Sequence, residues 1–313
     1  MSARQMLPFV PQPFPGEMLS SWLRRIAAEY GVSLERLAQH FGLSVWRPVH
    51  IDHASTRDDI DRTATALSVA PAEIRAMVHR PLKTAVAHLR EKYRPVQVCT
   101  RCRADHVSKT NQPVAIKAWF EYWRIECQQC CLPFSAPGGP NLNWSNPARE
   151  EPEWFSQILP LARRGAAHLA NFVRRPHRSC PSPVKILRLL SMRLYPFAEI
   201  TPAPAWTPRQ CIAELFLPDR SERLPEYPLL PELWTEQRPV RLVTARAILF
   251  AAMANFLAEP KEAYARLVGT LDWSRYRAVE QWLGNQPDRP ARMLEESRED
   301  GQSISSVYQL QQM

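Results

Sequence analysis

Along the first ninety residues, apolar side chains recur at intervals of three and four, the spacing that places them on one face of an α-helix. The first such run has the members Leu19, Trp22, Leu23, Ile26, Ala27 and Tyr30. Gly31 ends this helix, and Ser33 is placed to cap a second one that runs to Phe41, before Gly42. The pattern predicts two helices joined by a short turn, in the manner of a helix-turn-helix.

A second pair of helices follows the first. Asp58 lies at the start of a helix through Leu67, and Pro71 opens another through Val78. Ahead of both pairs, residues 1–17 contain prolines that exclude a helix and predict an extended arm. These prolines are Pro8, Pro11, Pro13 and Pro15.

The pattern changes between residues 93 and 145, where the aromatic and β-branched run 118–125 (AWFEYWRI) predicts short strands. From residue 150 onward it is helical again. The predicted helices there are 207–217, 244–258, 260–268 and 274–284, followed by a loose polar tail.

We therefore predict a mostly α fold with a small zinc-ribbon-like insertion. The predicted domains are a helical region with its arm (1–92), a zinc-ribbon-like module (93–148), a basic helical domain (149–290) and the tail (291–313).

Composition and charge narrow the class of protein. The chain has 313 residues and a formal net charge of +9, and arginine far outnumbers lysine. Arginine binds phosphate and guanine in a bidentate manner, so this charge favours a nucleic-acid partner, although genomic base composition also explains a preference for arginine over lysine. No apolar run approaches the roughly 20 residues of a membrane span, and the start lacks the apolar core of a signal peptide. A cytoplasmic protein with reduced thiols is expected.

Two Cys-x-x-Cys pairs, Cys99/Cys102 and Cys127/Cys130, carry the strongest chemical signal. Each pair can place two thiolates on one ion, so together they complete the tetrahedron that Zn²⁺ prefers. Four cysteine ligands leave no open position on the metal, which disfavours catalysis there. The alternatives are four reduced core cysteines or a redox-active pair, and the polar neighbours and the lack of a thioredoxin-like context argue against them.

Three further residues could bear on such a site. Cys131 is adjacent to Cys130 and is expected to point away and pack, and His106 is a candidate ligand only if one cysteine is not. The pair His177 and Cys180 resembles half of another metal site, but no second half lies near it in sequence.

Between Trp154 and Ala198 the chain has no acidic residue. An uncompensated run of positive charge is typical of a surface that binds the phosphate backbone of DNA, and the alternative is a solvated helix balanced by acids from elsewhere. The candidate DNA-binding residues are Arg163, Arg164, Arg174, Arg175, Arg178, Lys185 and Arg188.

Several enzyme classes are not indicated. The chain lacks the phosphate-binding pattern G-x-x-x-x-G-K-[ST], the dinucleotide pattern G-x-G-x-x-G and the hydrolase pattern G-x-S-x-G. Asp58, Asp59 and Asp61 could suggest the carboxylates of a metal-dependent nuclease. A simpler interpretation is a helix N-terminus, where negative charge is favoured by the helix dipole.

Residues 11–43, PQPFPGEMLSSWLRRIAAEYGVSLERLAQHFGL, strongly resemble the opening of the TniQ/TnsD family of bacterial transposition proteins. Members of the family open with a proline-rich arm, followed by Pro-Gly-Glu, a helix with the pattern Ser-Trp-Leu-x-Arg and a Gly-x-Ser turn, and this chain resembles that order. The matching positions are Pro15, Gly16, Glu17, Ser21, Trp22, Leu23 and Arg25. The order Cys99, Cys102, Trp123, Cys127 also resembles the family, with Cys130 where the family often has histidine. The resemblance covers about residues 8–145.

The resemblance implies a non-enzymatic adaptor that selects target sites for transposition. Such proteins link target DNA, or a DNA-bound CRISPR effector complex, to an AAA+ ATPase that recruits the transposase. It implies that the arm and the first helices contact the ATPase, with Pro15, Glu17, Trp22 and Arg25 as candidate contacts, and it allows a homodimer. A zinc-ribbon transcriptional regulator and a zinc-dependent nucleic-acid enzyme are the alternative functions.

Overall fold

The computed structural model describes residues 7–137, 153–175, 182–191, 212–217, 243–260 and 262–263. The chain divides into two compact units, Met1–Glu150 and Glu151–Met313. Within the described ranges the secondary structure consists of α-helices, 3₁₀ helices and isolated β-bridges. The predicted mostly helical fold is confirmed, while the division into four domains stays a prediction.

Five helices form the first half of unit 1. They are α1 (Leu19–Glu29), α2 (Leu34–Phe41), α3 (Pro48–Ala54), α4 (Arg57–Leu67) and α5 (Pro71–Met77). The predicted caps of α2 are confirmed, since the Ser33 side chain accepts a hydrogen bond from the Arg36 backbone and Gly42 adopts a left-handed conformation with φ of 64°. The short helix α3 was not predicted.

The five helices share one hydrophobic core, in which α1 packs directly on α2 and α3. The apolar face of α1 belongs to the same buried cluster as Phe41, Ile51, Ile60 and Ile74 of the other four helices. The residue before α1, Met18, provides no side-chain cap. Asp52 of α3 supplies one instead, because its carboxylate accepts hydrogen bonds from both the backbone and the hydroxyl of Ser20. The unpredicted helix α3 thus holds the start of α1 in place.

The second half of unit 1 corrects one prediction. It contains a 3₁₀ helix Thr84–Leu89, the helix α6 (Thr100–Thr110) and a 3₁₀ helix Lys117–Phe120. The prediction of strands over residues 118–125 was wrong: only isolated bridges occur there, such as Arg90 with Glu121. The amide of the fully buried Gln97 donates to the carbonyls of Ala118 and Glu121, which holds this segment as a turn.

Unit 2 is built around one apolar helix. Its helices are α7 (Glu153–Arg174), α8 (Pro183–Leu190), a 3₁₀ helix Ile212–Phe216 and α9 (Val243–Ala258). Helix α9 is buried on nearly all sides and packs against the other three. It confirms the predicted helix 244–258, whereas the described part of the predicted helix 207–217 is 3₁₀. Six of the nine residues of 260–268, all of 274–284 and the tail lie outside the described residues.

None of the described helices is long and apolar enough to cross a membrane. The most apolar of them, α9, has 16 residues, which is short of the roughly 20 that a bilayer core requires. Its apolar surface is instead covered by the neighbouring helices of unit 2.

Helices α7 and α9 approach closely at Gly165. A Cβ atom added to Gly165 would lie 1.9 Å from the carbonyl oxygen of Phe250 and 2.6 Å from its carbonyl carbon. Backbone atoms of a buried helix cannot move aside as a flexible side chain can. Glycine is therefore needed at this position for the two helices to pack.

We expect Gly165→Ala to destabilise unit 2 by about 3 kcal/mol, at the upper end of what overpacking costs. Urea denaturation followed by circular dichroism measures the loss. Ala167→Ser, which adds one atom at an exposed position of the same helix, is the matched control and should change little. An equal stability of the Gly165→Ala variant and the wild type would contradict the close contact with Phe250.

A candidate metal centre and the arm beside it

Four cysteine side chains converge in unit 1. The sulfur atoms of Cys99, Cys102, Cys127 and Cys130 all lie within 4.8 Å of one another. Individual Sγ–Sγ distances are 3.2 Å for Cys102–Cys130, 3.5 Å for both Cys99–Cys130 and Cys102–Cys127, and 3.7 Å for Cys127–Cys130. A tetrahedral ion with metal–sulfur bonds of about 2.3 Å requires sulfur–sulfur distances of about 3.8 Å. The cluster therefore has the dimensions of a tetrahedral metal site.

Local structure positions each pair. Cys99 is the N-cap of α6 and Cys102 lies in its first turn, so the first pair is placed at the positive end of a helix dipole. The second pair lies in a tight turn closed by hydrogen bonds from the Cys131 amide to the Cys127 carbonyl and from the Cys127 amide to the Leu132 carbonyl. An antiparallel bridge between Val98 and Ser135 brings the two segments together.

The pKa values of the clustered thiols show that several negative charges in this site would require a neighbouring cation. Burial raises the pKa of Cys99 to about 12, against the opposing backbone hydrogen bond from Cys102. Burial and the neighbouring thiols also raise the pKa of Cys102. For Cys127 burial acts to raise the pKa, but the backbone amides of Cys130 and Gln129 outweigh it and lower the pKa. Several thiolates are stable together here only with a cation between them.

The residues next to the cluster do not join it. Cys131 is exposed with φ of 54°, so the expectation that it packs was wrong, although it does point away from the cluster. His106 lies on α6 with its ring 4.2 Å from that of Phe14 and 6.3 Å from that of Trp119. Its burial lowers its pKa. His177 and Cys180 lie outside the described residues.

The arm that precedes α1 is fixed by a buried ion pair. Arg25 donates to both carboxylate oxygens of Glu17, at 3.0 and 2.7 Å, and Glu17 also accepts from the Ser21 hydroxyl and the Phe14 amide. Arg25 further donates to the Gln12 carbonyl, and its guanidinium lies 4.7 Å from the centre of the Phe14 ring. The pair is thus hydrogen-bonded on several sides, as burial of two charges requires.

The four residues predicted to contact a partner differ in their exposure to solvent. The exposed fractions of Glu17, Trp22 and Arg25 are 1%, 1% and 6%, and the Trp22 indole donates to the Pro11 carbonyl. These three side chains hold the arm against α1 and offer almost no surface to a partner in this conformation. Pro15, in contrast, is exposed.

The arm also contacts the cysteine cluster. Gln129, which lies between the clustered residues Cys127 and Cys130, donates its amide to the Pro15 carbonyl at 3.0 Å. The Lys117 amide bonds to the Gly16 carbonyl, at a turn where Gly16 has φ of 73°. Sequence reasoning did not single out Gln129, because a glutamine between two cysteines carries no pattern of its own.

The acidic cluster at α4 is structural. Thr56 and Asp59 form a capping box, and Asp59 also accepts hydrogen bonds from the amide and hydroxyl of Ser44. These hydrogen bonds outweigh the effect of burial and lower the pKa of Asp59. Asp61 pairs with Arg57 at 3.8 Å on the surface. The helix-terminus interpretation is therefore confirmed for these carboxylates.

The candidate DNA-binding residues fall on two helices of unit 2. Arg163, Arg164 and Arg174 lie on α7, Arg175 follows it directly, and all four are exposed. Lys185 and Arg188 lie on α8 and are half-buried. Arg178 lies outside the described residues. The structure therefore brings four of the seven candidates to one helix surface.

Comparison with known proteins identifies one related family. Residues 8–133 match the sequence model of the family TniQ, a range that contains the arm, helices α1–α6 and all four clustered cysteines. The searches of curated proteins and of solved structures give no match.

Proposed function

Because residues 8–133 are a TniQ domain, we propose that the chain is a non-enzymatic target-selection adaptor of DNA transposition. It links target DNA, or a DNA-bound CRISPR effector complex, to an AAA+ ATPase and thereby to the transposase. The match to the TniQ family is the observation that carries this proposal. The basic charge of the chain and the absence of a phosphate-binding loop from its sequence agree with it.

The cysteine cluster suggests that a bound metal ion stabilises the fold of the adaptor. We propose that Cys99, Cys102, Cys127 and Cys130 hold one Zn²⁺, because four thiolates in a tetrahedron suit this ion. Such a site leaves no position for water or substrate, so the metal holds α6, the second cysteine turn and the arm together. No chemical step is assigned to it.

The arm is the proposed surface for the ATPase. Phe9 lies on it with 59% of its surface exposed, yet its backbone is held at both ends: its amide donates to the Tyr30 hydroxyl and its carbonyl accepts from the same hydroxyl. An exposed aromatic ring on a fixed backbone loses little conformational freedom on binding, which is typical of an energetic centre of an interface. Pro15, the exposed member of the predicted contacts, lies further along the same arm.

The proposal also covers the location of the chain, its oligomeric state and the part of it that contacts DNA. The chain acts in the cytoplasm, where thiols remain reduced and available to zinc. It is compatible with a homodimer, as the family resemblance implies. DNA contact is assigned to unit 2, whose exposed arginines on α7 carry charge opposite to that of a phosphate backbone.

Affinity measurements between the chain and the AAA+ ATPase of its transposition system test the function. The wild type should bind the ATPase, and Phe9→Ala should weaken binding roughly 5- to 30-fold, as loss of an aromatic interface centre does. Tyr93→Ala removes an aromatic ring outside the arm that is even more exposed, at 76%, and serves as the matched control. A wild-type chain that binds operator DNA with high sequence specificity and no ATPase would favour the transcriptional regulator instead.

A further inference from the structure

One face of α7 is exposed along most of the length of the helix. Between residues 157 and 175 its exposed positions recur at intervals of three and four, so they form a single stripe opposite the side that packs on α9. The stripe has the members Gln157, Pro160, Arg163, Arg164, Ala167, His168, Asn171, Arg174 and Arg175. It contains no acidic residue, and its charges are two arginine pairs.

The spacing of the two pairs is defined by the helix. Arg163/Arg164 and Arg174/Arg175 are eleven residues apart, and at 1.5 Å per residue the pairs are separated by about 16 Å along the axis. Eleven residues are close to three whole turns, so both pairs point the same way. Arg175 keeps this geometry although it follows the helix, because its amide still bonds to the Asn171 carbonyl at 2.9 Å.

The separation matches a groove of duplex DNA. The major groove of B-DNA is about 12 Å wide and admits an α-helix, and its two edges are phosphate chains. Flexible arginine side chains about 16 Å apart can reach both edges. Between the pairs lie Ala167, His168 and Asn171, of which alanine and asparagine are short enough to let the helix approach.

We propose that this face of α7 docks on the major groove of duplex DNA, with one arginine pair on the phosphates of each strand and Asn171 facing the base edges. The inference rests on the proposed function and specifies how its DNA partner is held. Asparagine can bond an adenine edge in a bidentate manner, while the arginine pairs position the helix without reading sequence.

Duplex DNA fits this face better than a single strand does. Proteins that hold single-stranded nucleic acid stack successive bases on exposed aromatic rings. The exposed stripe of α7 carries no Phe, Tyr or Trp, and its one ring belongs to His168. The two separated arginine pairs are complementary in charge to the two phosphate chains of a duplex, which lie at a constant distance from each other.

Fluorescence anisotropy of a labelled duplex, measured with the full chain over a series of salt concentrations, tests the proposal. The slope of log affinity against log salt should fall by about 1.8 in Arg163→Ala/Arg164→Ala, by about 1.8 in Arg174→Ala/Arg175→Ala, and by about 3.6 in the quadruple variant, since each lost phosphate contact removes about 0.9. Arg36→Ala/Arg57→Ala, which removes two exposed charges from unit 1, should leave the slope unchanged. Asn171→Ala should keep the slope but reduce the preference among duplex sequences.

A change of slope at only one pair, or tighter binding of single-stranded than of duplex DNA, would overturn the major-groove arrangement. Full duplex binding by the quadruple variant would overturn it as well, while the proposed function would stand with another DNA surface. If the wild type binds neither duplex DNA nor the ATPase, the proposed function itself fails. The variants Arg163→Lys/Arg164→Lys and Arg174→Lys/Arg175→Lys, which keep the charge, should restore the slope and so separate lost contacts from lost folding.

Discussion

Cys99→Ser and Cys127→Ser are each expected to lose about one bound zinc ion per chain and to lose the folded structure of residues 84–137. The free energy of a structural zinc site, about 10–16 kcal/mol in small zinc domains, is largely free energy of folding. This is comparable to the whole stability of an ordinary domain, about 5–15 kcal/mol. Metal content by mass spectrometry under native conditions and thermal unfolding measure the two effects.

Cys131→Ser is the matched control for these variants. Cys131 is next in sequence to Cys130 but is exposed and outside the cluster, so its replacement should leave both metal content and stability unchanged. A wild-type chain that folds without metal, or a Cys99→Ser variant as stable as the wild type, would contradict the structural site. Equal loss of metal and stability in Cys99→Ser and Cys131→Ser would show that Cys131 is a ligand.

Glu17→Ala is expected to destabilise unit 1 by about 3–5 kcal/mol, because it leaves the Arg25 guanidinium buried without its carboxylate. The variant also removes the acceptor of the Phe14 amide and of the Ser21 hydroxyl, both of which hold the arm against α1. Urea denaturation followed by tryptophan fluorescence reports this loss, since Trp22 is buried beside the ion pair.

The exposed pair of Lys109 and Asp105 offers the comparison. Its charges lie 2.9 Å apart on the surface of α6, where solvent screens them, so Asp105→Ala should cost at most about 1 kcal/mol. A double variant, Glu17→Leu/Arg25→Met, should recover part of the stability, because it leaves no unpaired charge inside. Equal effects of Glu17→Ala and Asp105→Ala would mean that the arm does not depend on the buried pair.

Local signals in the sequence were sufficient for the features that depend on neighbours along the chain. The turn between α1 and α2 follows from Gly31, which adopts a φ of 63° without steric cost, and from Ser33, whose hydroxyl caps α2. The four clustered cysteines follow from two spacings, because Cys-x-x-Cys brings two sulfurs to one ion whatever the surrounding fold. In both cases the determining contacts lie within a few residues.

The features that were missed depend on distant contacts. The aromatic run 118–125 has strand propensity, but Gln97 provides hydrogen bonds to its carbonyls and overrides that propensity. Helix α3 is seven residues long, too short for a periodic pattern, and its Asp52 acts on α1, thirty-two residues away. Helix α6 was not predicted, because the spacing of Cys99 and Cys102 is compatible with a helix as well as with a turn.

The motif shared with the TniQ family illustrates a third difficulty. A pattern such as Pro-Gly-Glu followed by Ser-Trp-Leu-x-Arg does not show whether its residues stabilise the fold or contact a partner. In the structure Glu17, Trp22 and Arg25 are buried and hold the arm in place. The exposed surface of the arm is formed by other residues, among them Phe9 and Pro15. The cysteine cluster contacts the same arm through the hydrogen bond from Gln129 to the Pro15 carbonyl. We therefore expect the folded cluster and the proposed docking surface of the arm to depend on each other.

A bridging assay tests the proposed adaptor function: immobilised AAA+ ATPase is incubated with labelled duplex DNA in the presence or absence of the chain. The wild-type chain should increase the amount of DNA that the ATPase retains. Phe9→Ala should reduce this increase by weakening the contact with the ATPase, and Arg174→Ala/Arg175→Ala should reduce it by weakening the contact with DNA. Retention that does not depend on the chain, or a chain that binds DNA tightly and never the ATPase, would contradict the adaptor function.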